Sequence, residues 1–384
     1  MKASIRNTWV ELDFNILESN LRAIKSALTP GTEIMLVVKS EAYGHGLADV
    51  TRCALSEGVS WFVTAHLFEA EAVRAVAPDS RILVMGVMDP GEVEKCLDQR
   101  VTPVIVSEAH AMALAGAAAA GGKTLNCHAK VDTGMGRLGF PWNQAVSSLR
   151  KLAAENNLHM EGLCTHFASS DSPDREFADT QAERFRKVCT ECAESGLSFS
   201  IKHISNSGGI VREAGWDMDG VRPGILAYGY APAGHVSVGN ASRKISTRPL
   251  LQWKSRIVQS RDLPEGFPVS YGSTYMTPRP SRIAVVDAGY ADGYPRALSN
   301  KAYVLAGGRR CPVVGRVTMN LFMIDTGMDH NVRQGDEVVL MGASGNEEVW
   351  ADEIADWCDT IPYEILTGIR APRITVAGAE KLPD

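Results

Sequence analysis

Between residue 34 and about residue 229 the sequence repeats one unit, a short apolar run followed by an amphipathic stretch. The apolar runs predict strands at 34–39, 61–65, 81–86, 102–106, 126–132, 162–166, 200–204 and 220–225. Helical patterns fill the gaps, at 47–57, 67–76, 90–97, 108–120, 144–156, 175–194 and 208–214. Eight strands alternating with helices predict a parallel (β/α)8 barrel of the TIM type. The alternative, a doubly wound open sheet, favours fewer strands and a Gly-x-Gly-x-x-Gly turn, which the sequence lacks.

The pattern changes after residue 230. Polar and apolar residues alternate within short segments that Gly and Pro turns separate, and only residues 350–358 look helical. The segments are 251–258, 283–287, 302–305, 311–317, 322–325 and 337–341. This pattern predicts a second, mostly antiparallel β domain. We assign residues 14–240 to the barrel, and residues 241–384 with the N-terminal strand 1–13 to the β domain. A chain of 384 residues also exceeds what one ordinary core encloses.

Composition excludes several classes of protein. Hydrophobic content of 45% and charged content of 22% are typical of a globular protein, and a net charge of -6 gives no reason to expect a nucleic acid partner. No apolar run approaches bilayer length, and the first residues lack the apolar core of a signal peptide. Eight scattered cysteines suit the reduced thiols of a cytoplasm. Cys189 and Cys192, the one close pair, fall in a helical pattern and predict helix thiols, so we expect no metal site.

Polar side chains gather where the predicted strands end. Active sites of such barrels form at the C-terminal ends of the strands. Those ends carry Lys39 (first strand), Lys130, Asp132 and Arg137 (fifth), Thr165 and His166 (sixth), His203, Asn206 and Ser207 (seventh), and Arg222 and Gly224 (eighth). Any one of them could be a capping or loop residue. Together at one rim they predict an active site.

Lys39 closes an apolar run at residues 34–38 that reads as a strand buried on both faces. Desolvation at such a position disfavours the charged ammonium and leaves a nucleophilic amine. Nucleophilic lysines attack carbonyls, including the aldehyde of pyridoxal phosphate. The alternative is a strand-end lysine whose ammonium reaches solvent.

The loops after the seventh and eighth strands, residues 205–209 and 222–225, are rich in small residues. Barrels often bind phosphate there, because backbone N–H groups can approach a dianion closely. Each loop alone would equally suit an ordinary helix N-cap. A reactive lysine facing a phosphate cradle matches the two ends of pyridoxal phosphate.

The sequence resembles the alanine racemases, fold-type III pyridoxal phosphate enzymes, over essentially its whole length. The resemblance is carried, in the family's order, by residues 37–46, 130–139, 165–168, 206–207, 222–224, 269–272, 289–293 and 360–364. It implies racemisation of L-alanine to D-alanine, a cell-wall precursor, by a cytoplasmic homodimer with shared active sites and pyridoxal 5'-phosphate as cofactor.

The resemblance also implies roles for individual residues. Lys39 would bind the cofactor as a Schiff base and act as one base, and Tyr271 of the partner subunit would be the opposing base. His166 and Arg222 would lie behind that tyrosine, with Arg222 facing the pyridine nitrogen and supported by His203. Arg137 and Met319 of the partner subunit would bind the substrate carboxylate, and Lys130 would carry a carbamate that positions Arg137. Tyr290 would narrow the entrance. The remaining implied contacts are with the cofactor, mainly its phosphate, and come from Tyr43, Asn206, Ser207, Gly224, Ile225 and Tyr363.

Physical chemistry accounts for two of these implied roles. Racemisation needs a base on each face of a planar carbanion, since a single base tends to return the proton to the face it left. A tyrosine with a pKa of about 10 is a poor base at neutral pH, so positive groups beyond His166 should favour its phenolate. Arg222 would keep its proton, leave the pyridine nitrogen unprotonated and limit side reactions.

Residues 318–321 depart from the family pattern. Thr318 replaces the usual Cys or Ser before Met319, Asn320 replaces Asp, and Leu321 stands where some members have Gln. These changes leave a racemase of serine, or of a wider set of amino acids, as an alternative. An aromatic at Tyr363 favours a small pocket and therefore alanine.

Two further alternatives share the barrel fold. A pyridoxal phosphate carrier protein would resemble a lone barrel, so the β domain with Tyr271 argues against it. A fold-type III decarboxylase would need a cysteine from the partner's β domain, and neither Cys311 nor Cys358 lies in the expected context.

Overall fold

The computed structural model describes residues 7–232, 243–328 and 331–377. The chain divides into two units, residues 17–248 and residues 1–16 with 249–383. The boundary expected between residues 240 and 241 lies outside the described residues. Two elements precede the barrel strands, β1 (Trp9–Asp13) and α1 (Phe14–Ala27).

The first unit is built on parallel strands. They are β2 (Glu33–Val37), β3 (Trp61–Thr64), β4 (Arg81–Val84), β5 (Val101–Ile105), β6 (Leu125–Asp132), β7 (Phe140–Pro141), β8 (Leu158–Cys164), β9 (Ile201–Asn206) and β10 (Gly220–Arg222). Eight of them pair in a ring, which closes because β10 pairs with β2 and β5 pairs with β6. The two-residue β7 adds only to the end of β6. The predicted (β/α)8 barrel is confirmed.

Helices follow the barrel strands. They are α2 (Lys39–Gly44), α3 (Leu47–Ser56), α4 (Leu67–Val76), α5 (Val93–Asp98), α6 (Glu108–Ala120), α7 (Ala145–Leu152), α8 (Glu176–Glu194) and α9 (Ser207–Arg212), with 3₁₀ turns at Pro90–Glu92 and Ala214–Trp216. The sequence prediction missed α1, although Phe14, Leu17, Leu21 and Ile24 have helical spacing and are at most 1% exposed. Each of these apolar residues faces a core, which is why the helix forms.

The first strands are apolar on both faces because one face of each strand fills the barrel interior and the other packs against the helices. Met35, Trp61, Leu83 and Val104 belong to one buried cluster that fills the space between the strands. Such packing is typical of small closed barrels, whose centres are filled by side chains. The first strand ends at Val37, two residues earlier than predicted.

The second unit is one large sheet with a separate two-stranded ribbon. Its strands are β1, β11 (Leu251–Leu263), β12 (Pro268–Val269), β13 (Tyr275–Met276), β14 (Ser281–Val286), β15 (Tyr303–Ala306), β16 (Arg309–Val314), β17 (Phe322–Asp325), β18 (Glu337–Ser344), β19 (Glu347–Val349) and β20 (Arg373–Ala377). All pairs are antiparallel except β1 with β20, and β12 pairs with β13. The predicted antiparallel β domain is confirmed, and β1 pairs with β11 and β20 in its sheet.

After residue 249, the described part of this unit contains two helices, α10 (Ala351–Cys358) and α11 (Pro362–Gly368), and 3₁₀ turns at Tyr271–Ser273 and Arg296–Leu298. The expectation of a single helix was wrong. Pro362 at the first turn of α11 starts a helix too short for its periodicity to show, and Ile365 and Leu366 anchor it by burial.

The described residues include neither a membrane-spanning helix nor a cluster of metal-ligating side chains. None of their helices combines the length and the apolar character needed to cross a bilayer. Nor do three or more of their His, Cys, Asp and Glu side chains meet where a metal ion could be held. Cys189 and Cys192 both lie on α8, and burial raises the pKa of each thiol to about 11.

Candidate active site

Lys39 is followed by one turn of left-handed helix. Residues Ser40 to Tyr43 all have φ between 51° and 57°, and none of them is glycine. A left-handed conformation costs an L-residue roughly 1–2 kcal/mol, so strain is concentrated directly after the lysine. The N–H of Ser40 donates to the Glu69 carboxylate at 2.6 Å, and the ring of His45 lies 2.9 Å from the carbonyl oxygen of Tyr43. Contacts at both ends therefore hold this turn.

The environment of Lys39 lowers the pKa of its amine. Desolvation by the surrounding protein lowers the pKa of Lys39, the charge of Arg137 lowers it further, and the carboxylate of Glu69 opposes both. The residue nevertheless remains exposed, so a ligand can reach its amine. The shift has the direction expected for Lys39, but because the residue is exposed its poor solvation stays a prediction.

Arg222 is a buried cation whose guanidinium contacts four groups of the barrel. It is 3% exposed, and its guanidinium donates to the carbonyl oxygens of Thr165 (2.8 Å) and Ile204 (3.0 Å). It also contacts Nδ1 of His203 and lies 3.2 Å from Nδ1 of His166. A guanidinium can only donate, so both ring nitrogens accept, and each neutral imidazole carries its proton on Nε2.

A third histidine extends this chain of contacts. Nε2 of His203 lies 2.8 Å from Nδ1 of His128, so His203 donates and His128 also has its proton on Nε2. We call His128, His166 and His203 the barrel histidines. Burial, with the charge of Arg222, lowers the pKa of His128 to about 3 and those of the other two well below their usual value. Burial lowers the pKa of Arg222 only to about 10, so Arg222 stays charged beside neutral imidazoles.

The loop after β6 places Arg137. The carboxylate of Asp132 accepts from the N–H groups of Gly134 (2.9 Å) and Gly136 (3.0 Å), which folds the loop into a tight turn. A Cβ at Gly139 would lie 2.7 Å from the carbonyl oxygen of Lys130, so only glycine lets the loop return against the strand. Arg137 is exposed at the end of this turn.

Lys39, Lys130, Arg137 and Arg222, which we call the rim cations, influence one another electrostatically. Burial is the main cause that lowers the pKa of Lys130, and the charges of Arg137 and Arg222 lower it further. Among the described residues, no Asp or Glu forms an ion pair with any rim cation. The rim therefore carries excess positive charge, which attracts anionic ligands.

Small polar groups surround the backbone of Gly224. The hydroxyl of Ser207 accepts from the N–H groups of Gly224 (3.0 Å) and Leu226 (3.3 Å). A Cβ at Gly224 would lie 2.6 Å from the hydroxyl of Tyr43, so glycine allows that side chain to approach. Ile225 follows and is fully buried. Two hydroxyls and closely packed backbone beside the rim cations fit a phosphate group.

Asn206 has a structural partner of its own. Its side-chain oxygen accepts from the N–H of Gly209 at 3.0 Å, which caps α9, and from the hydroxyl of Ser170 at 2.7 Å. The N-cap interpretation of this loop is therefore correct for Asn206. Its contact with a cofactor stays a prediction.

The second unit gathers another group of predicted site residues. Tyr271 begins the 3₁₀ turn between β12 and β13 and is 72% exposed. Together with Thr318 and Leu321 it lines a cavity of about 380 Å³. The carbonyl oxygen of Thr318 accepts from the N–H of Tyr290 at 3.1 Å, and Met319 is exposed beside it.

Glycine makes this arrangement possible. A Cβ at Gly289 would lie within 2.5 Å of the carbonyl oxygens of Thr318 and Met319, so only glycine lets the two segments pair. Tyr363 lies on α11, and its predicted phosphate contact stays a prediction.

Sequence reasoning missed two residues of the barrel site. His128 lies two positions before Lys130 on β6, and because strand side chains alternate, both point to the same face. That spacing was a usable signal. Glu69 is the third residue of α4, where a carboxylate commonly caps its own helix, so nothing in the sequence linked it to Lys39.

Comparison with known proteins matches both units. The family models "Alanine racemase, N-terminal domain" and "Alanine racemase, C-terminal domain" match residues 12–232 and 250–376. The alanine racemase of Halothermothrix orenii is 39% identical over 374 residues, covering 97% of each chain. The Bacillus anthracis alanine racemase structure with bound L-Ala-P has a TM-score of 0.90 and 32% identity, over 98% of this chain and 97% of that one.

A second structure carries a cofactor. The alanine racemase of Bartonella henselae with covalently bound pyridoxal phosphate has a TM-score of 0.86 and 28% identity, over 96% of this chain and 99% of that one. The family models and the relatives together span nearly the whole sequence, and this chain belongs to the alanine racemase family.

Proposed function

We propose that this protein interconverts L-alanine and D-alanine with pyridoxal 5'-phosphate as cofactor, using Lys39 and Tyr271 of the partner subunit as the two bases. The observation that carries the proposal is Lys39, whose pKa is lowered, beside three other rim cations that lack carboxylate partners among the described residues. Such a rim suits a ligand with a phosphate and a substrate with a carboxylate. The relatives crystallised with L-Ala-P and with pyridoxal phosphate support the choice.

The chain's own residues suit the cofactor. Lys39 would hold it covalently through Nζ, because a lowered pKa leaves more neutral amine at neutral pH. Tyr43, Ser207 and the backbone at Gly224 and Ile225 would hold the phosphate. When bound, pyridoxal phosphate supplies an electron sink that stabilises negative charge on the substrate Cα.

Arg222 and His166 support the second base. A phenol with an ordinary pKa of about 10 needs nearby positive charge to give up its proton at neutral pH. Arg222 stays charged, and its contact with His166 makes that imidazole a donor at Nε2. A donor there would stabilise the phenolate of Tyr271 of the partner subunit.

Arg137 would bind the substrate carboxylate, together with the backbone N–H of Met319 of the partner subunit. Lys130 is buried and its pKa is lowered, so a larger share of its amine is neutral and able to add CO2. The resulting carbamate would place a negative charge beside Arg137 and orient it. Tyr290 would narrow the entrance.

We propose a homodimer with two shared sites. Exposed apolar side chains of the second unit support it, since monomers rarely leave such patches uncovered. They are Phe267, Tyr271, Met276, Met319 and Leu321. Eight free thiols, six of them buried, support a cytoplasmic location. D-alanine would serve as a cell-wall precursor, and a net charge of -6 gives no reason for a nucleic acid partner.

Mixing two inactive variants tests the shared sites. A dimer of one Lys39→Ala subunit and one Tyr271→Phe subunit regenerates one intact site. Half of randomly exchanged dimers are mixed, so about a quarter of wild-type activity should return. Fluorescence-labelled subunits would show whether exchange occurred. Exchange without recovered activity would rule out sites built from two subunits.

The alternatives differ in product. Incubation with L-alanine, L-serine and L-ornithine, read by chiral chromatography and CO2 release, separates an alanine racemase from a serine racemase, a decarboxylase and a carrier. We expect D-alanine as the main product. The full-length relatives named alanine racemase support this choice over the others.

A further inference from the structure

We propose that Glu69 is a positioning residue for Lys39, because its carboxylate holds the left-handed turn at Ser40–Tyr43 closed. The inference rests on the proposed role of Lys39. It concerns how the fold sets the position from which this lysine acts.

The carboxylate of Glu69 connects two elements. Oε1 accepts from the N–H of Ser40 at 2.6 Å, while Oε2 accepts from the N–H groups of Ala65 (2.8 Å) and His66 (3.1 Å) at the start of α4. Glu69 is 6% exposed, so these three bonds lie largely away from water. Hydrogen bonds to a desolvated carboxylate are among the stronger ones in proteins.

The turn needs such a contact. Four successive non-glycine residues adopt φ values that L-residues avoid, so local preference alone would release them to another conformation. Ser40 is the first of the four, and its bond to Glu69 determines the direction in which the chain leaves Lys39. At the far end, the ring of His45 contacts the carbonyl oxygens of Ala42 and Tyr43.

Charge provides a second link. Glu69 raises the pKa of Lys39, whereas burial and Arg137 lower it. Loss of the Glu69 charge should therefore lower that pKa further. Position and protonation of the lysine both depend on this carboxylate.

Glu69→Gln tests the proposal. The amide has one acceptor oxygen, so it can serve Ser40 or the start of α4 but not both. We expect amide hydrogen exchange of residues 40–45, measured by mass spectrometry on the full-length holoenzyme, to become at least about tenfold faster. We also expect kcat for alanine to fall at least about tenfold while KM stays within about twofold.

Glu71→Gln is the matched control. It makes the same change of charge on the same helix, where Glu71 forms a partly exposed ion pair with Lys95 at 2.6 Å. Neither the exchange at residues 40–45 nor kcat should change. An equal effect of both substitutions would overturn the proposal.

A rescue experiment distinguishes the proposed positioning role of Glu69 from a purely structural role in capping α4. Glycine accepts positive φ without penalty, so Ser40→Gly relieves strain in the turn and keeps the N–H. The double variant Glu69→Gln with Ser40→Gly should recover protection of residues 40–45 against hydrogen exchange. It should also recover at least a third of the decrease in log kcat. No recovery would show that Glu69 only stabilises α4.

A second variant covers the case in which Glu69→Gln does not fold. Glu69→Asp keeps the charge and can still cap α4, but it is one methylene too short to reach Ser40 as well. Fast exchange at residues 40–45 with an unchanged urea midpoint is expected, and unchanged exchange would refute the proposal. The exchange measurement does not depend on the substrate, so it remains decisive even if the wild-type protein fails to racemise alanine.

Discussion

Tyr271→Phe should separate activity from stability. The substitution removes one oxygen from a side chain that is 72% exposed, and no partner for its hydroxyl occurs among the described residues of this chain. Its effect on the free energy of unfolding should therefore stay within about 0.5 kcal/mol. Loss of a general base typically slows a reaction by about 10²–10⁴-fold, or roughly 2.7–5.4 kcal/mol in activation free energy.

The assay compares the rates at which L-alanine and D-alanine exchange their α-hydrogen. Each enantiomer of alanine is incubated in D2O, and loss of its α-hydrogen is followed by NMR. The phenol is proposed to act on the L-enantiomer and Lys39 on the D-enantiomer. Removal of the α-hydrogen from L-alanine should fall by at least about 10²-fold, and exchange from D-alanine should fall much less.

Tyr303→Phe provides the control. Tyr303 lies in the same unit and is 41% exposed, so it undergoes the same chemical change on a comparable surface. It should alter neither exchange rate. Equal losses from both enantiomers of alanine in Tyr271→Phe would refute the two-base assignment, and so would a loss of activity matched by an equal loss of stability.

Three other perturbations test the barrel. Asp217 is 1% exposed and accepts two hydrogen bonds from Arg243, at 2.7 and 2.5 Å. Asp217→Asn should therefore lower the free energy of unfolding in urea by about 3–5 kcal/mol. The control Asp98→Asn, which disrupts an exposed ion pair with Lys123, should lower it by less than about 1 kcal/mol. Gly224→Ala places a Cβ 2.6 Å from the hydroxyl of Tyr43, so it should weaken the binding of pyridoxal phosphate at least about tenfold, as measured by fluorescence titration. Unchanged affinity would show that this glycine does not belong to the phosphate site. The pKa values of the barrel histidines are lowered in the folded state, so between pH 6.5 and 5.5 these three side chains take up protons mainly in the unfolded chain. The free energy of unfolding should therefore decrease from pH 6.5 to 5.5 by about 1 kcal/mol per histidine at constant cofactor concentration, and a total decrease of less than about 1 kcal/mol would contradict the neutral assignment.

The barrel and the β domain could both be read from the sequence, because burial imposes a periodicity on each strand and helix. The rim residues could be read in the same way. Once Lys39, Lys130 and Arg222 are placed at strand ends, closure of a parallel barrel brings those ends to one side. The alternation of β6 would even have allowed His128 to be found beside Lys130.

Other features depend on contacts that no local pattern encodes. The left-handed turn after Lys39 contradicts the preferences of its four residues, and it exists because Glu69, 29 positions after Ser40, accepts a hydrogen bond from the turn. The proton positions of His128 and His203, 75 residues apart, follow from the donor geometry of Arg222.

Sequence patterns were enough to identify the eight barrel strands, the antiparallel β domain and the rim that holds the reactive groups, since periodicity and strand polarity are local properties. The conformation of the turn after Lys39 and the proton positions of the barrel histidines depend instead on long-range contacts. Strain and buried hydrogen bonds are settled by whichever groups the closed barrel brings together.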